Sequence, residues 1–261
     1  MLNYIKKNIK TSKLHLNPFP HIVIKNLLPK LTLNKLNKTL PSFNEVGSKD
    51  VIFQSSSKTK KTIMPDSEIF KKMLSKKTFY EVNSTLQKIK PLILKKFKSE
   101  IEKNVSPNFV KSKIDYNMNF ALMKKGYLKS AHLDRRDHLI SGIYYPKSEK
   151  NKGGNLLMCR VKKKGRTFDV FPSKRNLKIS KNYKINENFC VFFLNVPWAY
   201  HAVSKYNGKS DRKYFYIDYD FKLKKSSSSS INRKKGLNQN SFWNTSVIVK
   251  SENRKKIFFE E

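Results

Sequence analysis

His132 and Asp134 are the first residues of this chain whose types and spacing could do chemistry, because side chains two apart on an extended segment project to the same face. An imidazole and a carboxylate so placed can share a metal ion. On a helix the same spacing would send them to nearly opposite sides, so the reading requires a strand or a strand end. The flanks predict one. From Asp115 to Leu122, the apolar residues Tyr116, Met118, Phe120 and Leu122 alternate with other positions, and Leu139 to Tyr145 is rich in β-formers. The pair alone is a weak signal, since five His and nineteen Asp and Glu would give a chance His-x-acid roughly one time in three. His201 supplies a third ligand. It follows Asn188 to Leu194, which predicts a buried strand, and the linking Asn195-Val196-Pro197. Arg212 then opens the alternating segment Lys213 to Phe221. Its guanidinium could hold a carboxylate through two parallel hydrogen bonds, which suits a dicarboxylate cosubstrate.

Two imidazoles and one carboxylate on one face of a metal, with the other positions open, is the arrangement expected of non-haem Fe(II) oxygenases. In order and context the chain resembles the 2-oxoglutarate- and Fe(II)-dependent oxygenases, and within them the prolyl-4-hydroxylase-like branch. The resemblance runs from about Phe19 to Phe221. It rests on His132-x-Asp134, the strand ending Ile143-Tyr144-Tyr145-Pro146, Gly153-Gly154 before the strand Asn155 to Val161, the run Cys190 to Phe193 before His201, and Arg212. It implies a mainly β fold with flanking α-helices: a double-stranded β-helix (jelly-roll, cupin-like) barrel. It also implies Fe(II) on His132, Asp134 and His201, and the far carboxylate of 2-oxoglutarate on Arg212 with the Tyr145 hydroxyl as a second donor. O2 is the implied co-reactant and ascorbate a candidate reductant. The implied reaction hydroxylates a C–H bond of an organic substrate (peptide, amino acid, sugar or small metabolite) and releases succinate and CO2. Related halogenases replace the carboxylate ligand with a small residue; Asp134 is intact, so hydroxylation is the expected outcome.

The elements that must position these residues fit one domain, since 261 residues can bury one sizeable core. A basic arm, 1–17, is expected to be loosely held. The oxygenase domain spans 18–225, with helical support to about residue 110 and the β-helix core over 113–222. It opens with a strand in Phe19 to Leu28, followed by a helix from Pro29 carrying Leu31, Leu33, Leu36 and Leu40. Residues 41–65 read as loop with one strand at Val51 to Phe53. A short helix follows Pro65-Asp66 to about Lys77. A helical region from Asn83 to Lys103 carries the stripe Leu86, Ile89, Ile93, Phe97 and Ile101, and Pro91 predicts a kink or two abutting helices. Lys147 to Lys152 and Lys162 to Lys184 read as polar loops. The serine run 226–230 begins a linker and tail, 226–261.

The net charge of +37 would ordinarily suggest a polyanionic partner, yet only eight of the 56 basic residues are Arg, and Lys is spread along the whole length. Phosphate and base-edge sites favour Arg, so nucleic acid is not the favoured partner. Nucleic-acid demethylases of the same superfamily carry a second downstream Arg in an Arg-x-Asn-x-x-x-x-x-Arg pattern, which is missing after His201. The remaining alternatives are a catalytically silent β-barrel binding protein and a basic nucleic-acid-binding protein. Cys159 and Cys190 lie in apolar runs without metal or redox spacing, so buried free thiols in a reducing cytoplasm are expected. The longest apolar run, Phe189 to Leu194, is too short to cross a bilayer. His138 lacks an acid two residues on and reads as a satisfied polar residue. Trp198 reads as a lid or wall, Gly153-Gly154 as a tight turn or close backbone approach, and Arg135 and Arg136 as solvated.

Overall fold

The computed structural model describes residues 1–53, 56–105, 113–135, 138–162, 172–196 and 198–221. The expected linker and tail, 226–261, lie outside the described residues, as does Arg136. In chain order the elements are α1 (Leu2–Thr11), β1 (Leu14–His15), β2 (His21–Lys25), α2 (Lys30–Thr39), β3 (Lys60–Thr62), α3 (Glu68–Leu74), α4 (Lys77–Lys88), α5 (Lys90–Lys96) and α6 (Lys98–Asn104). Then come β4 (Ile114–Met123), β5 (Lys129–His132), β6 (His138–Lys147), β7 (Leu156–Val161), β8 (Leu177–Tyr183), β9 (Phe189–Leu194), β10 (His201–Val203) and β11 (Arg212–Phe221).

The last eight strands are divided between two antiparallel sheets in the order β9-β6-β11-β4 and β5-β10-β7-β8, and β1-β2 and β3 extend the larger sheet at its two edges. Counted first to eighth, this is 6-3-8-1 beside 2-7-4-5, the double Greek key of a double-stranded β-helix. The expected barrel is not closed: no ladder among the described residues joins the sheets. Central β9 is buried along its whole length, as its unbroken run Phe189 to Leu194 requires. The edges are short or lysine-bearing, which blunts pairing with other chains.

Helices cover the outer face of the larger sheet. The Phe79 ring of α4 lies 5.9 Å from Phe215 of β11, and Tyr219 donates to the Leu86 carbonyl at 3.3 Å. The stripe Leu86, Ile89, Ile93, Phe97 and Ile101 is buried as expected, but it is carried by three helices, with breaks at Ile89 and Phe97 and Pro91 in the first turn of α5. In α2, Leu33 and Leu36 are buried while Leu31 is 68% exposed, so the apolar face is narrower than its four leucines suggest.

Three expectations are corrected. Residues 2–11 of the presumed arm form α1, because Ile5 and Ile9 stand one turn apart and are both fully buried. The polar stretch Lys162 to Lys184 contains β8, an edge strand whose solvent-facing lysines hide it from a hydrophobic pattern. The strand placed at Val51 to Phe53 is β3 instead, and Val51 makes only an isolated bridge to Ile63. No helix among the described residues is long and apolar enough to cross a membrane. Cys159 and Cys190 are buried free thiols.

Candidate metal centre and carboxylate anchor

β5 ends at His132 and β10 begins at His201, and the two residues are direct register partners in the smaller sheet. Their ring centroids are 4.4 Å apart. Leu133 points the other way, into a small cluster with Cys159, Leu177 and Tyr200, so the chain leaving β5 keeps its alternation and returns Asp134 to the side of His132. Asp134 Oδ1 lies 3.8 Å from His132 Nε2 and 3.5 Å from His201 Nε2.

The ring orientations are fixed by backbone. His132 Nδ1 is 2.9 Å from the Ser130 carbonyl and His201 Nδ1 is 3.0 Å from that of Ala199. A carbonyl only accepts, so each Nδ1 must donate, and the neutral tautomer then presents the lone pair of Nε2 to the cluster. One ligand atom from each of His132, Asp134 and His201 lies within 4.8 Å of the others. Ligands about 2.1 Å from a metal and at right angles are about 3 Å apart, so a modest contraction closes these three around an ion.

In the metal-free cluster the three groups are shifted in different directions. Burial would push the Asp134 carboxyl up, but the charge and hydrogen bond of His201, with His132 behind it, hold it far below the usual carboxylate range. Burial, with His201 adding to it, brings His132 down to about 3. Burial also opposes protonation of His201, yet the Asp134 charge and hydrogen bond outweigh it and raise that imidazole above its ordinary value.

Arg212 is fully buried at the start of β11. Nη1 donates to the Gly154 carbonyl at 2.6 Å and Nη2 to that of Gly153 at 2.9 Å. The guanidinium carbon sits 4.4 Å from the Tyr206 ring centre and 5.9 Å from that of Tyr145. Of the remaining N–H groups, Nε has no partner though it is buried. Tyr145 lies beside Arg212 on the inner face, its ring against Tyr214 at 5.7 Å, and burial raises its hydroxyl pKa. Lys213 points outward, where Nζ donates to the Leu40 carbonyl at 2.7 Å. Strand parity thus puts Arg212, Tyr214 and Tyr216 on the inner face and Lys213, Phe215 and Ile217 on the outer one.

Other residues join the inner face without having stood out in the sequence. Lys60 of β3 is 9% exposed, with Nζ 5.1 Å from the Tyr216 ring centre, and burial lowers its pKa against the opposing charges of Tyr127 and Asp134. One lysine among so many gives no signal of its own. His138 is a satisfied polar residue as expected, its Nδ1 2.5 Å from Asp220 Oδ1. Asp218 is buried near both of them. Trp198 packs, half-buried, against the main core, and Arg135 is exposed.

No family model matches the chain, and no curated protein matches it. Among solved structures, a prolyl-4-hydroxylase of Pseudomonas putida is 12% identical, with 85% of this chain and 100% of that one covered at a TM-score of 0.48. A viral collagen prolyl hydroxylase of Paramecium Bursaria Chlorella virus-1, solved with 2-oxoglutarate, is 14% identical over 78% and 96% of the two chains, at 0.46. HygX of Streptomyces hygroscopicus, solved with nickel and 2-oxoglutarate, is 9% identical over 78% and 83%, at 0.45. At such identities and TM-scores, function has to be read from the residues of this chain.

Proposed function

We propose that the protein is an Fe(II)- and 2-oxoglutarate-dependent dioxygenase that hydroxylates a C–H bond of an organic substrate, releasing succinate and CO2. The observation that carries this reading is the orientation of the cluster. Both Nδ1 atoms are committed to backbone carbonyls, and both Nε2 atoms face the same carboxylate oxygen. His132, Asp134 and His201 would hold Fe(II) through three positions and leave the rest for cosubstrate and O2. When bound, the metal would let O2 act as the oxidant while 2-oxoglutarate gives up two electrons in its decarboxylation to succinate, which is the chemistry an unactivated C–H bond requires.

The chain supplies position and exclusion. Arg212 would offer its unpartnered Nε–H and a neighbouring N–H to the far carboxylate of 2-oxoglutarate, and Gly153 and Gly154 fix the plane of the fork. Tyr145 stands beside it as the second donor. The buried Tyr214 and Phe193 rings, the latter 4.8 Å from His201, wall part of the space between the sheets, while His132 and Asp134 stay partly open. The buried free thiols support a reducing, cytoplasmic setting. Ascorbate would serve only to return the metal to its ferrous state.

The test is anaerobic Fe(II) titration followed by 2-oxoglutarate turnover in air. Metal-dependent succinate formation, lost in His132→Ala, Asp134→Ala and His201→Ala, is expected. A protein that binds Fe(II) tightly yet forms no succinate under any substrate pool would instead be a silent binding protein.

A further inference from the structure

Across the larger sheet, Asn117, Asp218, Ser141 and Phe193 are successive register partners on β4, β11, β6 and β9. Direct partners share a face, and Phe193 meets the His201 ring, so this row looks into the space beside the metal cluster. Two members of the row, Ser141 and Asp218, are polar and buried. Ser141 is 2% exposed and its hydroxyl has no partner. Asp218 is 6% exposed, and its carboxylate accepts no hydrogen bond and forms no ion pair among the described residues. Its neighbour Asp220 is fully engaged, accepting from His138 and from Asn117.

The charge balance at this spot is odd for such a basic chain. Although the chain has 56 Lys and Arg, the nearest cation to this buried carboxylate is His138, which is already hydrogen-bonded to Asp220. Arg135, Asp134 and Asp220 act on Asp218 only at a distance, the first favouring its charge and the other two opposing it. Burial is the main reason its carboxyl is pushed up to about 7. A buried acid held this way is costly until a cation arrives, and an unpaired hydroxyl next to it adds a second acceptor.

We propose that Asp218 and Ser141 anchor a protonated amine of the substrate, so that the class oxidised is an amine-bearing metabolite or amino acid side chain. This rests on the oxygenase reading of the metal cluster. An ammonium carries three donors, enough for a carboxylate oxygen, the Ser141 hydroxyl and one further acceptor. A substrate carboxylate or phosphate at the same point would face Asp218 and Asp220 together and be repelled. Along the row Asp218 lies two strand spacings of about 5 Å from Phe193 on the same inner face, so an amine held there would sit in the space that the metal cluster borders.

The test uses the full chain loaded with Fe(II) and 2-oxoglutarate without oxygen, and measures binding rather than turnover. The probes are n-butylamine, 1,4-diaminobutane and lysine, set against butyrate and glutarate. Calorimetry should show saturable binding of at least one amine, weakened on the order of tenfold or more by Asp218→Asn and less by Ser141→Ala, with Asp218→Glu retaining part of it. Absence of amine binding to the wild type, equal binding to Asp218→Asn, or preference for the carboxylates would overturn the proposal. If Asp218→Asn does not fold, amine affinity equal to that of the wild type in both Ser141→Ala and Asp218→Glu would do so. The visible absorption of the Fe(II)–2-oxoglutarate chelate, recorded on the same samples, separates the two readings. Its absence in the wild type sinks the oxygenase assignment, whereas its presence with no amine preference sinks only this one.

Discussion

A side chain on Gly154 would run into the Arg212 guanidinium, because Nη1 of Arg212 is drawn onto the Gly154 carbonyl at 2.6 Å and the Gly154 backbone adopts φ +61°. Gly153, at φ +70°, is confined differently: there a Cβ would strike the backbone carbonyl of Lys205. The two adjacent glycines therefore protect different things, one a side chain that can move and the other a backbone that cannot.

Gly153→Ala is accordingly expected to lower stability by about 1–3 kcal/mol, since neither the positive φ nor the carbonyl can yield cheaply. Gly154→Ala should keep more of its stability but weaken 2-oxoglutarate binding. Denaturant unfolding and cosubstrate titration, run on both variants, check the division. Equal losses of stability with unchanged cosubstrate affinity would contradict it.

Arg212→Ala should raise the apparent 2-oxoglutarate constant on the order of tenfold or more, as loss of a charge-assisted pair worth roughly 1.5–3 kcal/mol requires. Lys213→Ala should leave it nearly unchanged, because Nζ of Lys213 is bonded to Leu40 on the other face. The reverse result in a cosubstrate titration would show that the anchor lies elsewhere, with Lys60 the first candidate.

Metal affinity should fall in acid. His201 has a raised pKa in the metal-free cluster because of Asp134, so its imidazolium adds stability that is complete below about pH 6.5 and is lost as pH rises through the folded value. A metal needs the neutral ring, so binding must expel that proton, and apparent affinity should drop about tenfold per pH unit below the His201 value. Calorimetry in buffers of different ionisation enthalpy counts the proton directly. Asp134→Asn, which removes the cause of the shift, should abolish the release along with most of the affinity.

Ile9→Ala should cost about 2–5 kcal/mol, the range for emptying a fully buried aliphatic site. Removal of residues 1–12 should lower the unfolding midpoint further. An unchanged midpoint in either variant would return the segment to the status of an arm.

Charge offers a separate test. If the lysine excess is compositional, binding to duplex DNA should be weak and fall steeply as salt rises, since it is nearly all counterion release. Tight, sequence-selective binding at physiological salt would move a nucleic-acid partner to the front.

Much of the candidate site was legible because its signal is local. His132, Leu133 and Asp134 obey the period of two, and so do Arg212 and Lys213, so facing is readable from the sequence. What escaped depends on pairing across long stretches of chain. Lys60 reaches Tyr216 only because β3 pairs with β4, and Asp218 stands beside Ser141 only because β11 pairs with β6. Among the elements, β8 was hidden by its polar edge position. α1 was hidden because only two isoleucines in a lysine-rich segment carry its buried face. The long helical stripe was legible as a buried face, but its breaks at Ile89 and Phe97 follow from how three short helices wrap the sheet.

The residues proposed to hold the metal and the one proposed to hold the dicarboxylate belong to different sheets. His132, Asp134 and His201 ride on or next to the smaller one, whereas Arg212 is rooted in the larger. A molecule chelated at one end and clamped at the other thus spans the gap like an object between the jaws of a caliper, and its length fixes the opening. Substitutions that change the gap, such as a smaller residue at Phe193, would alter which length of dicarboxylate fits while leaving every ligand in place.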